Sequence, residues 1–156
     1  TVVLNQSSDS QLAFVLGDTD VYTRVIDGEY PNFEKIIPLS HTTQVTMEKE
    51  TLLRAVKSAA IFARDNANII RFHVDGNTLT VSANTPQVGE NKIDVEVSTD
   101  GEGGDMAFNS RFLLEFLANT SADQLLFEMT GSLNPGVFKR PDDESYLHII
   151  MPVRVT

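Results

Sequence analysis

The sequence predicts an α+β fold in which two helices pack on antiparallel β-sheets. Two segments, 47–64 and 109–118, carry apolar residues at helical spacing. The segments around them alternate apolar and polar residues or contain glycine turns, which is typical of strands. The order of helix, strands, helix and strands lacks the regular strand–helix alternation that a parallel sheet needs, so we expect antiparallel pairing.

The first predicted helix covers residues 47–64, with Thr46 as a plausible N-cap. Its apolar face is formed by Leu52, Leu53, Val56, Ala59, Ala60 and Ala63. On the opposite arc, three bases fall together without an acid: Arg54, Lys57 and Arg64. This basic arc is either a solvated helix face or a shallow surface for DNA phosphates.

The second predicted helix starts after a capping Asn109, and its apolar stripe consists of Phe112, Leu113, Phe116 and Leu117. Strands are predicted at 69–74 and 79–83, joined by a tight turn at 75–77, and at 93–97, 106–108, 125–129, 136–139 and 146–152. Residues 1–37 also have strand character, but so short a segment buries no core of its own. Residues 38–43 have the composition of a linker.

Composition excludes several classes of protein. The 156 residues are 41% hydrophobic, so a packed core is expected and global disorder is not. There is no cysteine, which excludes disulfides and thiolate chemistry. The net charge of -10 argues against simple electrostatic wrapping of nucleic acid. No apolar run is long enough to span a bilayer, and no leader follows Thr1, so we expect a cytoplasmic protein whose natural N-terminus lies upstream.

The search for catalytic or metal-binding residues predicts none, and it predicts no cofactor. The three histidines, His41, His73 and His148, are scattered without metal-ligand spacing. The glycine run at 101–104 leads into a strand, which favours a flexible turn over a phosphate-binding loop. The acidic run at 142–144 is interpreted as a solvated loop.

One apolar pair does not fit the core face of the first helix. Ile61 and Phe62 are bulky and lie near the C-terminal end of that helix, off its apolar stripe. The pattern alone leaves two interpretations open: a surface for a partner, or a contact with a neighbouring strand.

Four stretches, in this order, resemble one family. They are RVIDGEYPNF at 24–33, LLxAVxxAAI at 52–61, FNSRFL at 108–113 and MPVR at 151–154. Together they resemble the beta subunit of bacterial DNA polymerase III, the sliding clamp family. The resemblance covers the whole chain and implies that 1–43 are the end of a middle clamp domain with its linker, and 44–156 a complete third domain.

The family implies a ring-shaped processivity factor that encircles duplex DNA and has no catalytic activity itself. Each clamp domain of the family has two helices lining the central hole and antiparallel sheets outside. The resemblance therefore implies DNA-facing roles for Arg24, Arg54, Lys57, Arg64 and Arg111. It places Ile61 and Phe62 at the dimer interface, although the supporting acidic loop of the family is poorer in charge here, at 87–90.

The family also binds short apolar peptides of its partners in a pocket between the second and third domains. The residues that match this pocket are Pro31, Lys35, Ile36, Asn109, Phe112, Leu133, Pro135, Ile149, Ile150, Met151, Pro152, Val153 and Arg154. Three departures concern its fine specificity: Ala67 where some members have an aromatic residue, Phe112 where Tyr is common, and Thr156 beyond the usual end.

The partners that the resemblance implies are duplex DNA, the polymerase III alpha subunit, the clamp loader and other proteins with a clamp-binding motif. The full-length protein is expected to be a homodimer, and this chain by itself a monomer. Two alternatives stand beside the clamp: an unrelated α+β interaction domain with a peptide groove, and an enzyme domain whose catalytic residues lie upstream.

Overall fold

The structure, a computed structural model, describes residues 3–6, 10–85 and 89–155. The chain divides into two compact units, Thr1–Asn32 and Phe33–Thr156. The assignment of 1–43 and 44–156 to two clamp domains stays a prediction.

The first unit is a three-stranded antiparallel sheet in the order β1 (Val3–Gln6), β2 (Gln11–Leu16) and β3 (Thr19–Arg24). The strand character predicted for this segment is therefore confirmed. Every side chain of β3 is exposed to solvent, and none of β2 is fully buried. These two strands bury no apolar core within the unit, as expected for an isolated small sheet.

The second unit begins with a 3-10 turn at Phe33–Lys35 and contains two antiparallel sheets and two helices. Its elements are β4 (Thr43–Glu48), α1 (Lys49–Ala63), β5 (Ile69–Asp75), β6 (Thr78–Thr85), β7 (Gly89–Glu96), β8 (Ser98–Gly101), β9 (Gly104–Asn109), α2 (Ser110–Asn119), β10 (Gln124–Met129), β11 (Gly136–Arg140) and β12 (Asp143–Ile150). The strand orders are β12-β11-β10-β4-β8 and β7-β6-β5-β9. The predicted α+β class with antiparallel sheets is confirmed.

The core lies between these sheets and the two helices. Its largest fully buried side chains include four phenylalanines, Phe72, Phe108, Phe127 and Phe138. The ring of Phe127 meets those of Phe72 and Phe108 edge to face, with centroids 5.9 Å and 6.0 Å apart. Because these rings come from β5, β9, β10 and β11, the aromatic contacts join the two sheets into one core.

The start of the first helix was predicted wrongly. Thr43, Val45 and Met47 are buried at alternating positions of β4, which pairs with β10 along its whole length. The helix begins only at Lys49, after Glu48 in an extended conformation, so Thr46 is a strand residue and not an N-cap. Long-range strand pairing overrides the local helical pattern here. Strand β8, which pairs with the other edge of β4, was not predicted.

Several local predictions are confirmed. Asn109 caps α2, since its side-chain oxygen accepts a hydrogen bond from the backbone of Arg111 at 3.0 Å. The hairpin of β5 and β6 turns at Gly76, whose φ of 51° suits glycine. The glycine run forms the connection between β8 and β9. Within it, a Cβ on Gly103 would overlap the carbonyl oxygen of Val74, which explains this glycine sterically.

The outer face of the five-stranded sheet carries one partly buried ionic network. Glu128 on β10 is 8% exposed and accepts hydrogen bonds from Lys139 on β11 at 2.7 Å and from Gln44 on β4 at 3.0 Å. His41 lies 3.6 Å from the same carboxylate. Since each bond crosses between neighbouring strands, the network ties β4, β10 and β11 together.

Candidate functional site

An apolar cleft of about 360 Å³ lies beside the last strand of the second unit. It is lined by two short segments, one around the 3-10 turn and one at the end of β12: Phe33, Ile36, Ile37, Leu147, His148, Ile149 and Met151. Ile36 is 40% exposed and Met151 is 58% exposed, so both offer apolar surface to an incoming group. Its lining is apolar except for His148, which suits it to apolar side chains of a ligand.

The local sequence explains how these side chains reach the cleft. Successive strand residues point to opposite faces, so Ile150 is buried in the core at 3% exposure while the neighbouring Ile149 is only half-buried and lines the cleft. β12 is an edge strand, and Pro152 lies two residues beyond its end. The backbone amide of Val153 donates to the carbonyl of Ala107 at 2.8 Å, which fixes the segment that carries Met151.

His148 is the titratable group of the cleft. Its ring stacks on Phe116 of α2, with centroids 4.6 Å apart and 20° between the planes. Burial lowers the pKa of His148 below its ordinary value, and the negative charge of Glu115 opposes this shift only partly. The neutral imidazole is therefore favoured, which keeps the cleft apolar.

A second cleft, of about 550 Å³, lies between α2 and β12 and shares His148, Ile149 and Met151 with the apolar cleft. Phe112 lies on its rim and is 56% exposed. The assignment of Phe112 to the core stripe of α2 is therefore wrong, whereas Leu113, Phe116 and Leu117 are buried as predicted.

The predicted pocket residues do not form one cavity in this structure. Ile36, Ile149 and Met151 meet in the apolar cleft, and Phe112 and Ile150 reach only the cleft beside α2. The others lie elsewhere: Lys35 and Pro135 line a groove with Ile36, Leu133 and Val153 line a smaller cleft of about 170 Å³, and Arg154 lines a third. Asn109 is engaged as the α2 cap, and Pro31 belongs to the first unit. Pro152 lines none of these five clefts.

Sequence reasoning missed four lining residues of the apolar cleft, namely Phe33, Ile37, Leu147 and His148. Each lies next to a predicted position or within three residues of one along the chain. The signal available in the sequence was the proximity of these four residues to the predicted pocket positions. The alternation of side chains along a strand argued against this inference, because it predicts that only every second residue faces the cleft. At the end of edge strand β12, side chains from both faces of the strand line the cleft.

The exposed face of α1 carries the predicted DNA-facing bases. Arg54, Lys57 and Arg64 are all exposed. The expectation that no acid shares their arc is wrong, because Glu50 precedes Arg54 by four residues and Lys57 by seven. A hydrogen bond from Lys49 lowers the pKa of Glu50 below its ordinary value, with smaller contributions from Lys57 and Arg54. The stripe thus starts with a carboxylate that is paired with Lys49 and carries three bases from Arg54 onwards.

Two further predicted bases lie on other elements. Arg111 is exposed in the first turn of α2. Arg24 lies at the end of β3 in the first unit, where its guanidinium is 4.0 Å from the carboxylate of Asp27 and largely exposed.

The predicted interface pair is divided by the fold. Ile61 is 64% exposed, on the same stripe of α1 as the three bases. Phe62 is half-buried and packs against the core, and its carbonyl accepts a hydrogen bond from Thr85. Phe62 therefore makes the strand contact that the sequence had left open as an alternative, while Ile61 offers a free apolar side chain. Residues 86–88 of the adjacent loop lie outside the described residues.

The described ranges contain no group of three or more potential metal-ligating side chains. Neither α1 nor α2 has the length and apolar character that a membrane-crossing helix needs.

Comparison with solved structures defines the fold class. A beta sliding clamp from C. crescentus superposes with a TM-score of 0.85 at 26% identity, covering 99% of this chain and 41% of that one. The DNA polymerase III beta subunit of Thermotoga maritima gives a TM-score of 0.84 at 24% identity, covering 99% and 42%. The fold is that of the beta sliding clamps.

Comparison of sequences defines the family. Residues 34–154 match the C-terminal domain of the DNA polymerase III beta subunit. The beta sliding clamp of Chlamydia muridarum is 30% identical over 155 residues, which are 99% of this chain and 41% of that protein, and a Staphylococcus aureus clamp is 25% identical over 150 residues. The chain belongs to the DNA polymerase III beta subunit family, and it spans about two fifths of the length of these relatives.

Proposed function

We propose that this chain is the C-terminal part of a DNA sliding clamp, a non-catalytic processivity factor that encircles duplex DNA and tethers the replicative polymerase. The observation that carries the proposal is the apolar cleft formed by residues 33–37 and 147–151 in a domain of the clamp family. In the structure of the C. crescentus clamp, PEG is bound to a region described as a beta-motif tethering region. A cleft of this kind suits short apolar motifs of the polymerase alpha subunit, the clamp loader and other partners.

The cleft supplies the chemistry of such tethering. Ile36 and Ile149 present branched side chains, and Met151 adds a flexible thioether that adapts to different partners. The upstream part of the middle domain would complete the pocket in the whole protein. Binding is expected to be of modest affinity for this chain by itself, because only part of the pocket is present.

The DNA role rests on the exposed bases of α1, together with Arg24 and Arg111. Weak contacts suffice for a ring, since encirclement and not affinity retains the protein on DNA, and tight binding would impede sliding. A chain with a net charge of -10 is compatible with that role. Ile61 is proposed as an interface residue that closes a head-to-tail dimer in the complete protein.

Peptide binding tests the proposal. We expect a fluorescently labelled peptide of the Gln-Leu-Ser-Leu-Phe type to bind this chain saturably in an anisotropy titration. Ile149→Glu with Met151→Glu should weaken binding by at least roughly tenfold, because a buried charge would face apolar side chains. Ile61→Glu is the matched control, since it makes the same change on α1, and should bind as the parent does. Equal binding by all three proteins would contradict the assignment of the cleft.

A further inference from the structure

A polar cleft of about 320 Å³ lies at the other end of the C-terminal segment, and of its lining residues only Arg154 is among the predicted peptide-pocket positions. Two arginines and two asparagines contribute to its lining: Arg71, Arg154, Asn66 and Asn84. Ile69, Ala83 and Val155 complete it. Two guanidinium groups that line one cleft supply hydrogen-bond donors suited to a carboxylate or phosphate, while the side-chain amide of Asn66 already donates to the carbonyl of Asn84 at 3.1 Å.

The two guanidinium groups have no acidic partner in the part of the chain that the structure describes. Neither Arg71 nor Arg154 makes an ion pair or a side-chain hydrogen bond there, and both are exposed. Asp105 lines the small cleft on the other side of Arg71, but its carboxylate is bonded to His73 at 2.8 Å. Two cations held together in a strongly acidic chain are available to an outside anion.

The fold separates this cleft from the basic stripe of α1. Ile70 and Phe72 of β5 are buried towards the core against which α1 packs, so Arg71 between them points to the opposite face of the four-stranded sheet. A duplex that contacts Arg54 and Lys57 on α1 would therefore lie on the other side of the sheet from Arg71. This geometry favours a protein carboxylate over a DNA phosphate as the ligand.

The same segment connects the polar cleft to the apolar cleft. Met151 lines the apolar cleft, and Arg154 follows only three residues later, with Val153 anchored to Ala107 between them. Three residues of extended chain span roughly 10 Å. A bound peptide of similar length can therefore place an apolar side chain on Met151 and another side chain on the two arginines.

We propose that Arg71 and Arg154 form an anion subsite that selects partner peptides carrying an aspartate or glutamate three to four residues from their apolar motif. The proposal rests on the proposed peptide-binding function and adds a preference for acidic flanking sequence. Because each contact is a charge-assisted hydrogen bond at a partly exposed site, the selectivity is expected to be moderate and to decrease with added salt.

The test compares two labelled peptides in anisotropy titrations with this chain. Both carry the Gln-Leu-Ser-Leu-Phe core and a flanking extension, with glutamates in one and glutamines in the other, placed three and four residues from the core on either side. We expect the acidic peptide to bind about three- to tenfold more tightly at low salt. Arg71→Gln should reduce this ratio towards one while leaving the affinity for the glutamine peptide unchanged, and Arg154→Gln should also reduce the ratio.

Lys92→Gln is the matched control, since Lys92 is an exposed cation on β7 of the same sheet but outside the polar cleft. An unchanged ratio in Arg71→Gln, or an equal loss in Lys92→Gln, would overturn the subsite and show a general charge effect. Binding of both peptides with equal affinity would overturn the subsite alone and leave the apolar cleft intact. Failure of both peptides to bind would overturn the subsite together with the peptide-binding function. Competition with a short DNA duplex tests the separation of the two surfaces. If the duplex displaces the acidic peptide from the parent chain but not from Arg54→Glu, this separation is contradicted.

Discussion

His148 shows how one residue couples the candidate site to stability. Its imidazole stacks on Phe116 and lines both the apolar cleft and the cleft beside α2. Charging this ring would place a cation against Ile149 and Met151. The surroundings therefore favour the neutral form, and the pKa of His148 is lowered mainly by burial.

The lowered pKa of His148 predicts a loss of stability in mild acid. As the pH falls below about 6.5, the unfolded chain takes up a proton at this ring, while the folded chain resists protonation until its own, lower pKa is reached. The free energy of unfolding should therefore decrease over that interval and level off below it. Urea titrations at a series of pH values should show a smaller decrease for His148→Gln than for the parent. Parallel curves for the two proteins would refute this assignment of the proton.

Among the elements, the connection between α1 and β5 carries backbone strain. Ala67 and Asn68 have φ angles of 51° and 58°, a region that is costly for a residue with a Cβ. The turn is held by hydrogen bonds that the backbone N–H groups of Asn66 and Asn68 donate to the carbonyl of Ala63, each at 2.9 Å. Asn68 also accepts from Ser110 at 2.7 Å, so the turn positions the start of α2.

Ala67→Gly should stabilise the chain by roughly 0.5–1 kcal/mol. Relief of the left-handed strain outweighs the greater flexibility of glycine in the unfolded state. The matched control is Ala60→Gly within α1, where φ is helical, and there we expect a loss of about 1 kcal/mol. Thermal or urea unfolding measures both. Destabilisation by both substitutions would show that Ala67 is not strained.

The elements also show how far sequence reasoning reaches. The α2 helix with its Asn109 cap, and the hairpin at Gly76, were predicted because their signals are local. The start of α1 was not, because Val45 and Met47 owe their strand conformation to pairing with β10, some eighty residues away.

Only part of the candidate site could be predicted from the sequence. The resemblance at 24–33 and 151–154 pointed to Ile36, Ile149 and Met151, which the structure brings together. Composition could not reveal that Phe112 and Leu133 face different clefts, since that depends on the packing of three elements. Arg71 lies in a strand without any motif, and only the course of the C-terminal segment brings it beside Arg154.

At the scale of the whole molecule, we propose that two surfaces of the second unit have different tasks. The exposed face of α1 combines three bases with Ile61, while the apolar and polar clefts lie along the C-terminal segment. This separation allows a clamp to contact DNA and a partner at the same time. Since the chain spans about two fifths of its relatives, closure of a ring belongs to the complete protein.

The most direct test of this account is whether the complete protein is held on DNA by topology. The protein would be loaded by its clamp loader onto a nicked circular plasmid and separated from free protein by gel filtration, before and after the plasmid is cut once. We predict that it stays on the circle in high salt and is lost from the linear form, and that Ile61→Glu, which weakens ring closure, is lost from both. Equal retention of the parent protein on circular and linear DNA would contradict the account, because it would show binding by affinity and not by encirclement.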